Sequence, residues 1–346
     1  MPNVVNVFFT LFVGFIIQNI ETDEARKRKL FLTVVWIALT FVAGTRGLYA
    51  LGDTDAYYST YVGALQYDFI TYFGKLEGDY LFYVINWLFS NIGIPWQMFL
   101  IIHSGFVLGS FCYWIGKNSE DPLLSMLIFE CLFLNVWQGS LRQALGMALL
   151  LVAYNKLDLA GVKSKLIAIA LFILAVLSHS TAIVLLPYII LRKVPVNKIT
   201  IIFYSIGTIG CYVFRNQFLQ FINLIANELD RNTYTNFWNK NPTTLIALCV
   251  LILGMFLFFR LPIVEKYPKA EEYYVVLFLM VAMLSLGGGV VVRLAWYFGV
   301  VLCLIMPMIA EQFRTVILAK AIMVGVLIVL YINSVDTSLW YFFWQK

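Results

Sequence analysis

The chain has 346 residues, of which 62% are hydrophobic and only 12% charged, and its mean hydropathy is +0.85. A soluble domain is about one-quarter charged, so this composition excludes a soluble enzyme or binding module and predicts an all-α, polytopic integral membrane protein. The net charge of +5 is dispersed among loops, which argues against a nucleic-acid partner.

Residues 4–20 read as a retained first span, since they lack a basic leader and a small-residue cleavage site. Arg26, Lys27, Arg28 and Lys29 follow, and the positive-inside rule puts that loop in the cytoplasm. Residues 30–44 then emerge into an external loop at about 45–79. It carries Arg46, Asp53, Asp55 and the ladder Tyr57, Tyr58 and Tyr61, then Lys75, Glu77 and Asp79. The tyrosine spacing predicts a short amphipathic helix lying on the membrane surface.

Residues 80–94 are a short apolar piece ended by Pro95, and residues 96–115 are a full-length span. Residues 122–154 are almost continuously apolar but contain Gly139-Ser140-Leu141-Arg142-Gln143-Ala144-Leu145-Gly146. Lys156, Lys163 and Lys165 mark a basic loop. Residues 166–191 are apolar except for Ser178-His179-Ser180-Thr181. A second external loop at about 215–242 holds Glu228, Asp230, Arg231, Tyr234 and Trp238. Four apolar segments, separated by basic residues and by the Gly287–Arg293 turn, complete one transmembrane domain over 1–346. The total is about 10–12 transmembrane or re-entrant helices.

Two topologies fit the middle of the chain. If every apolar segment spans, Arg142 lies toward the cytoplasm and the Lys156–Lys165 loop lies outside. If residues 80–94 only dip into the membrane and residues 166–191 re-enter around His179, that basic loop moves inside. Arg142, His179 and Arg293 then reach the external half. The second arrangement obeys the charge rule better and is the one expected.

An arginine cannot shed its charge in a membrane, so Arg142 must meet an anion, a carboxylate or water. Arg46, Arg142 and Arg293 each sit in or at the edge of an apolar segment, and guanidinium forks match phosphate oxygens. The bland alternative is snorkelling, or pairing with Asp53, Asp55 or Glu77. His179 is one of two histidines and suits a general base at neutral pH, although a lone histidine on an apolar face is more often a hydrogen-bonded core residue; His103 has no surrounding motif and reads as structural. Asp53, Asp55 and Glu77 read as a metal pair, a base or partners of the arginines; two carboxylates are a weak metal signal, and pairing with arginine or sugar ranks first. The five cysteines have no C-x-x-C pair or neighbouring histidine and read as buried packing.

The order of these motifs resembles the EpsG family of exopolysaccharide polymerases, relatives of the Wzy-type O-antigen polymerases. The resemblance rests on Arg46 with Asp53-Thr54-Asp55-Ala56-Tyr57, and on Glu77 before an aromatic-rich segment. It continues with Ser140-Leu141-Arg142-Gln143, His179-Ser180-Thr181-Ala182, and Arg293 with Tyr297-Phe298. Ser180 departs from the pattern, where lysine is common.

The resemblance implies a GT-C-like, metal-independent glycosyltransferase of the bacterial cytoplasmic membrane, with no cofactor and an active site facing outside. It would use undecaprenyl-diphosphate-linked oligosaccharide, passing the growing glycan to the non-reducing end of an incoming unit, with membrane lipid and a chain-length regulator protein as partners. His179 would be the base, oriented by Asp53 or Glu77. Arg142 and Arg293 would hold the diphosphate with help from Arg46. Tyr57, Ser140, Gln143, Thr181, Tyr297 and Trp238 would contact substrate. A flippase for the same lipid-linked glycan and an O-antigen-type ligase are the alternatives.

Overall fold

The computed structural model describes residues 2–218, 220, 243–287, 289–334 and 342. Among these the chain is helical apart from one isolated antiparallel bridge between Arg46 and Phe342. Such a chain satisfies its backbone within each segment, as an apolar solvent demands. Residues 221–242 lie outside the described part, and with them Trp238 and most of the second loop.

The chain divides into two compact units. The first comprises the described residues of Met1–Ile183 and Lys320–Lys346, and the second Val184–Ala319. The first unit begins with α1 (Pro2–Gln18), α2 (Glu24–Gly44), α3 (Thr54–Gly63) and α4 (Phe69–Gly74). It continues through α5 (Tyr80–Asn91), α6 (Trp96–Asn118), α7 (Pro122–Leu132), α8 (Leu134–Gly139), α9 (Leu141–Leu157) and α10 (Val162–Ser178). Helix starts follow local chemistry. The side chains of Asp23, Asp68 and Asp121 accept N–H groups in the first turns of α2, α4 and α7, and Pro122 opens α7.

Helices α2 and α6 pack through glycines of α6. A Cβ at Gly116 would stand 2.9 Å from a Leu32 methyl, and one at Gly109 would stand 3.1 Å from the Trp36 indole nitrogen. Basic groups gather at one end of the unit. Arg28 Nη1 donates to the carbonyls of Gly116 (3.2 Å) and Ser119 (2.7 Å), Asn118 donates to Asn155 (2.8 Å), and Lys320 pairs with Asp121 (2.7 Å). Lys117, Lys156 and the start of α10 therefore share an end with the Arg26–Lys29 run. At 1.5 Å per residue, α2 carries the chain about 30 Å to the other end, where Arg46, Gln138 and Arg142 lie.

The tyrosine helix forms as expected, but its faces are used differently. Tyr57 and Tyr61 of α3 are buried within the protein rather than laid on the membrane surface. Tyr57 packs edge-on against Phe82, Tyr61 packs on Trp96 and Phe99, and the Tyr61 hydroxyl donates to the Ile94 carbonyl at 2.7 Å. Burying the two rings, with the Tyr61 hydroxyl on the Ile94 carbonyl and the Tyr57 hydroxyl hydrogen-bonded with Arg142, outweighs their preference for the interface.

The second unit comprises a 3-10 turn running into α11 (Leu186–Leu191), then α12 (Lys198–Val213), α13 (Thr243–Phe258), α14 (Arg260–Lys266), α15 (Ala270–Leu286), α16 (Gly289–Gly299), α17 (Leu302–Ala310) and the start of α18 (Val316–Ser334). Ion pairs Arg192–Glu272, Arg260–Glu271 and Lys266–Glu311 gather around the start of α15. The Gly287–Arg293 segment follows its far end.

One helix among the described residues, Trp96–Asn118, is by itself long and apolar enough to cross a membrane. The count rises to three if the bent pairs Leu245–Phe258 with Arg260–Lys266 (72°) and Val291–Gly299 with Leu302–Ala310 (53°) each form one span. The other apolar segments occur as shorter helices or, like α2, begin with a charged turn. A polytopic membrane protein built from broken segments results, and one of the breaks organises the site.

Candidate functional site

Three helix ends meet in the first unit at the end away from the basic groups. The first is the start of α5. Gly78 (φ 145°) turns the chain, and Asp79 takes the left-handed conformation (φ 51°), which short polar side chains tolerate best. Asp79 is the N-cap of α5 yet makes no side-chain cap to that helix. Its carboxylate reaches across to the other two ends instead.

The second is the start of α9, where Arg142 occupies the first turn. A cation is disfavoured there by the helix dipole, so the position needs an anion. Arg142 Nη1 donates to Asp79 Oδ2 at 2.8 Å and to the Tyr83 hydroxyl at 3.1 Å. The guanidinium carbon lies 5.7 and 5.8 Å from the ring centroids of Tyr57 and Tyr83, within cation–π range.

The third is the break after α10. His179 is the C-cap of α10 with extended backbone (φ −155°, ψ 115°), and a 3-10 turn, Ser180–Leu185, follows. Its Nδ1 lies 3.1 Å from Asp79 Oδ2, and the Ser180 N–H donates to Asp79 Oδ1 at 3.0 Å. The Ser178 hydroxyl donates to the Arg142 carbonyl at 3.3 Å, tying the second end to the third.

Asp79 thus bridges Arg142 and His179 with one oxygen and takes a backbone N–H with the other. Burial alone would raise its carboxyl. The hydrogen bond and charge of His179, the Arg142 guanidinium and the Ser180 N–H outweigh that and hold it below the ordinary carboxylate value. An ionised Asp79 only accepts, so His179 donates to it from Nδ1, which leaves Nε2 for another partner. The exposed fractions of the side chains are 10% for Asp79, 17% for His179 and 31% for Arg142. The arginine is the most accessible of the three. Chemically, the cluster offers a positioned base and a fixed cation side by side.

The remaining expected residues fall into distinct places. Gly52 (φ 52°) presses against Gly139, where a Cβ would stand 2.7 Å from the Gly139 oxygen, and the Asp53 N–H donates to that oxygen at 3.3 Å. Only glycine fits this contact, which docks the Asp53-Thr54-Asp55-Ala56-Tyr57 loop on the turn before Arg142. Tyr57 lies under the guanidinium, while the Asp53, Asp55 and Glu77 side chains are exposed. Asp79, two residues beyond Glu77, is the carboxylate that orients His179, where Asp53 or Glu77 was expected. Ser140 is half-buried before Arg142, Gln143 is buried in α9, and Thr181 is half-buried in the 3-10 turn.

Arg46 sits in different surroundings from Arg142. It is 1% exposed and donates through Nη2 to the Gln138 carbonyl at 2.7 Å and through Nη1 to the Ala43 carbonyl. It joins α2 to α8, with both fork nitrogens on backbone carbonyls. Arg293 and Tyr297 belong to α16 of the second unit, where Arg293 is exposed and Tyr297 is buried. His103 is buried, and its Nε2 lies 3.1 Å from the Leu141 carbonyl, in keeping with its structural reading. Among the described residues, no group of three or more His, Cys, Asp or Glu is placed to hold a metal ion.

Sequence reasoning missed Asp79 and Tyr83. The available signal was Gly78-Asp79 at the edge of an apolar segment, followed by a tyrosine one helical turn on. Ser180 contributes its backbone N–H to Asp79, a contact indifferent to the side chain.

The EpsG family model matches residues 29–345, nearly the whole chain, including every residue of this cluster. No curated protein and no solved structure matches the chain.

Proposed function

The chain belongs to the EpsG family, and on that premise we propose that it is a metal-independent polysaccharide polymerase of the bacterial cytoplasmic membrane. It joins undecaprenyl-diphosphate-linked repeat units at the outer face, moving the growing glycan to the non-reducing end of the incoming unit. The observation that carries this reading is the bridge from Arg142 through Asp79 to His179.

The acceptor hydroxyl gives its proton to His179 Nε2 as its oxygen attacks the anomeric carbon of the donor. The bond from that carbon to the diphosphate oxygen breaks, and the electron pair leaves with the diphosphate. Arg142 meets the growing negative charge of the leaving group, a preorganised cation in a site of low polarity. Asp79 holds the imidazole in the productive tautomer and stabilises the imidazolium, as the carboxylate of a hydrolase triad does. The orientation follows from the positive-inside rule. Arg26–Lys29, Lys117 and Lys156 mark the cytoplasmic end, and the cluster lies at the other.

Purified protein with a short lipid-diphosphate-linked repeat unit tests the proposal. A ladder of longer glycans that survives chelator and disappears in His179→Ala is expected. Loss of the ladder on chelation contradicts metal independence. Movement of the intact lipid-linked unit across a vesicle membrane, with no ladder, contradicts the transferase reading and makes the protein a transporter.

A further inference from the structure

The flank of the α2–α6 pair holds a groove of about 590 Å³ at the basic end of the first unit. Its polar part is made by Arg28, Lys29 and Lys117, and its apolar part by Leu32, Trp36 and Tyr113. Gly109 and Gly116 line it too, where Trp36 and Leu32 of α2 close against α6. Arg28 to Trp36 is eight residues of helix, about 12 Å, so the groove passes from charged to apolar over that distance.

Among the described residues no carboxylate lines the groove. Two acids near this end are engaged elsewhere, Glu24 with Lys27 at 3.0 Å and Asp121 with Lys320 at 2.7 Å. Arg28 is not a loose surface cation, since its Nη1 is fixed on the carbonyls of Gly116 and Ser119. Three cations, one of them held in place, therefore converge on a recess without an anion. Below them Trp36 (37% exposed), whose indole N–H donates to the Gly105 carbonyl of α6 at 2.8 Å, and Tyr113 (43% exposed) line the apolar part.

We infer that this groove binds an anionic phospholipid. Its phosphate lies among Arg28, Lys29 and Lys117, and an acyl chain runs along Leu32, Trp36 and Tyr113. A free phosphate would satisfy the cations but leave the apolar half uncovered. A zwitterionic lipid would cover the apolar half but bring its own cation to a site that already has three. Basic recesses between helices with apolar walls are suited to anionic headgroups. The inference rests on the membrane-embedded helical fold and is independent of the transferase chemistry.

The test uses full-length protein in phosphatidylcholine nanodiscs carrying brominated phosphatidylglycerol or brominated phosphatidylcholine. The quenching lost in Trp36→Phe isolates the Trp36 signal. Trp36 should be quenched at a lower mole fraction of the anionic lipid than of the zwitterionic one. The double variant Lys29→Gln/Lys117→Gln should weaken that preference about tenfold, Lys29→Arg/Lys117→Arg should retain it, and inorganic phosphate should not compete. Equal quenching by the two lipids, or a preference unchanged in the glutamine variant, would overturn the inference. Displacement by inorganic phosphate would overturn it in favour of a free-anion site.

Discussion

Arg46 and Arg142 both stand at the edge of an apolar segment, at the same end of the first unit, and both were expected to hold a diphosphate. Arg46 is buried and donates to two uncharged carbonyls. Arg142 keeps about a third of its side chain exposed and donates to a carboxylate shared with an imidazole. A guanidinium closed in by carbonyls is a staple between helices. One that shares a single carboxylate with a histidine still has charge and surface to offer a ligand. The same residue type thus serves folding in one place and a site in the other, and the surroundings decide which.

The largest effect that separates the two regions is expected at the shared carboxylate. Asp79→Asn keeps the shape but can no longer fix the Nδ1 proton of His179 or neutralise Arg142. Glycan transfer, measured as ladder growth per folded molecule, should slow by about two to four orders of magnitude. Arg142→Lys should cost about two to three orders, because a point charge cannot replace the fork. A variant with full transfer at either position would dissolve the distinction from Arg46.

Arg46→Lys sharpens the contrast from the other side. It should leave transfer per folded molecule within a few-fold of the parent while lowering stability by about 2 kcal/mol, read as an earlier thermal transition in detergent. A large loss of transfer with unchanged stability would put Arg46 back in the site. Gly52→Ala should cost about 1–2 kcal/mol, since alanine is strained at φ 52° and its Cβ meets the Gly139 oxygen. Part of that cost should appear as slower transfer, because the loop carries Tyr57.

The smallest expected effect is a pH dependence. The folded Asp79 carboxyl titrates below its unfolded value of about 3.9, so its contribution is complete above that value. It is lost as pH falls through the lower folded value. The stability difference between the parent and Asp79→Asn should therefore shrink as pH falls below about pH 4. A difference unchanged through that range would mean that Asp79 is not the stabilised anion.

The helical membrane fold was legible because hydropathy and charge depletion are summed over many residues. Arg142 and His179 were legible as polar interruptions of apolar runs. Asp79 was not, because what distinguishes it from Glu77 is a left-handed backbone two residues on, which brings its side chain to α9 and α10. The burial of Arg46 was equally hidden, since its partner Gln138 is 92 residues away. Tyr57 and Tyr61 showed a helical spacing, but spacing does not say whether a face meets lipid or protein.

The central claim is that Asp79 and His179 act as one device. A double-mutant cycle on the transfer rate tests it most directly, comparing Asp79→Asn, His179→Ala and the pair in folded, purified protein. The account predicts strong non-additivity, with the double variant about as slow as His179→Ala alone, because a carboxylate that orients an imidazole has nothing to orient once the imidazole is gone. Losses that multiply would show that the two residues act independently, and would contradict it.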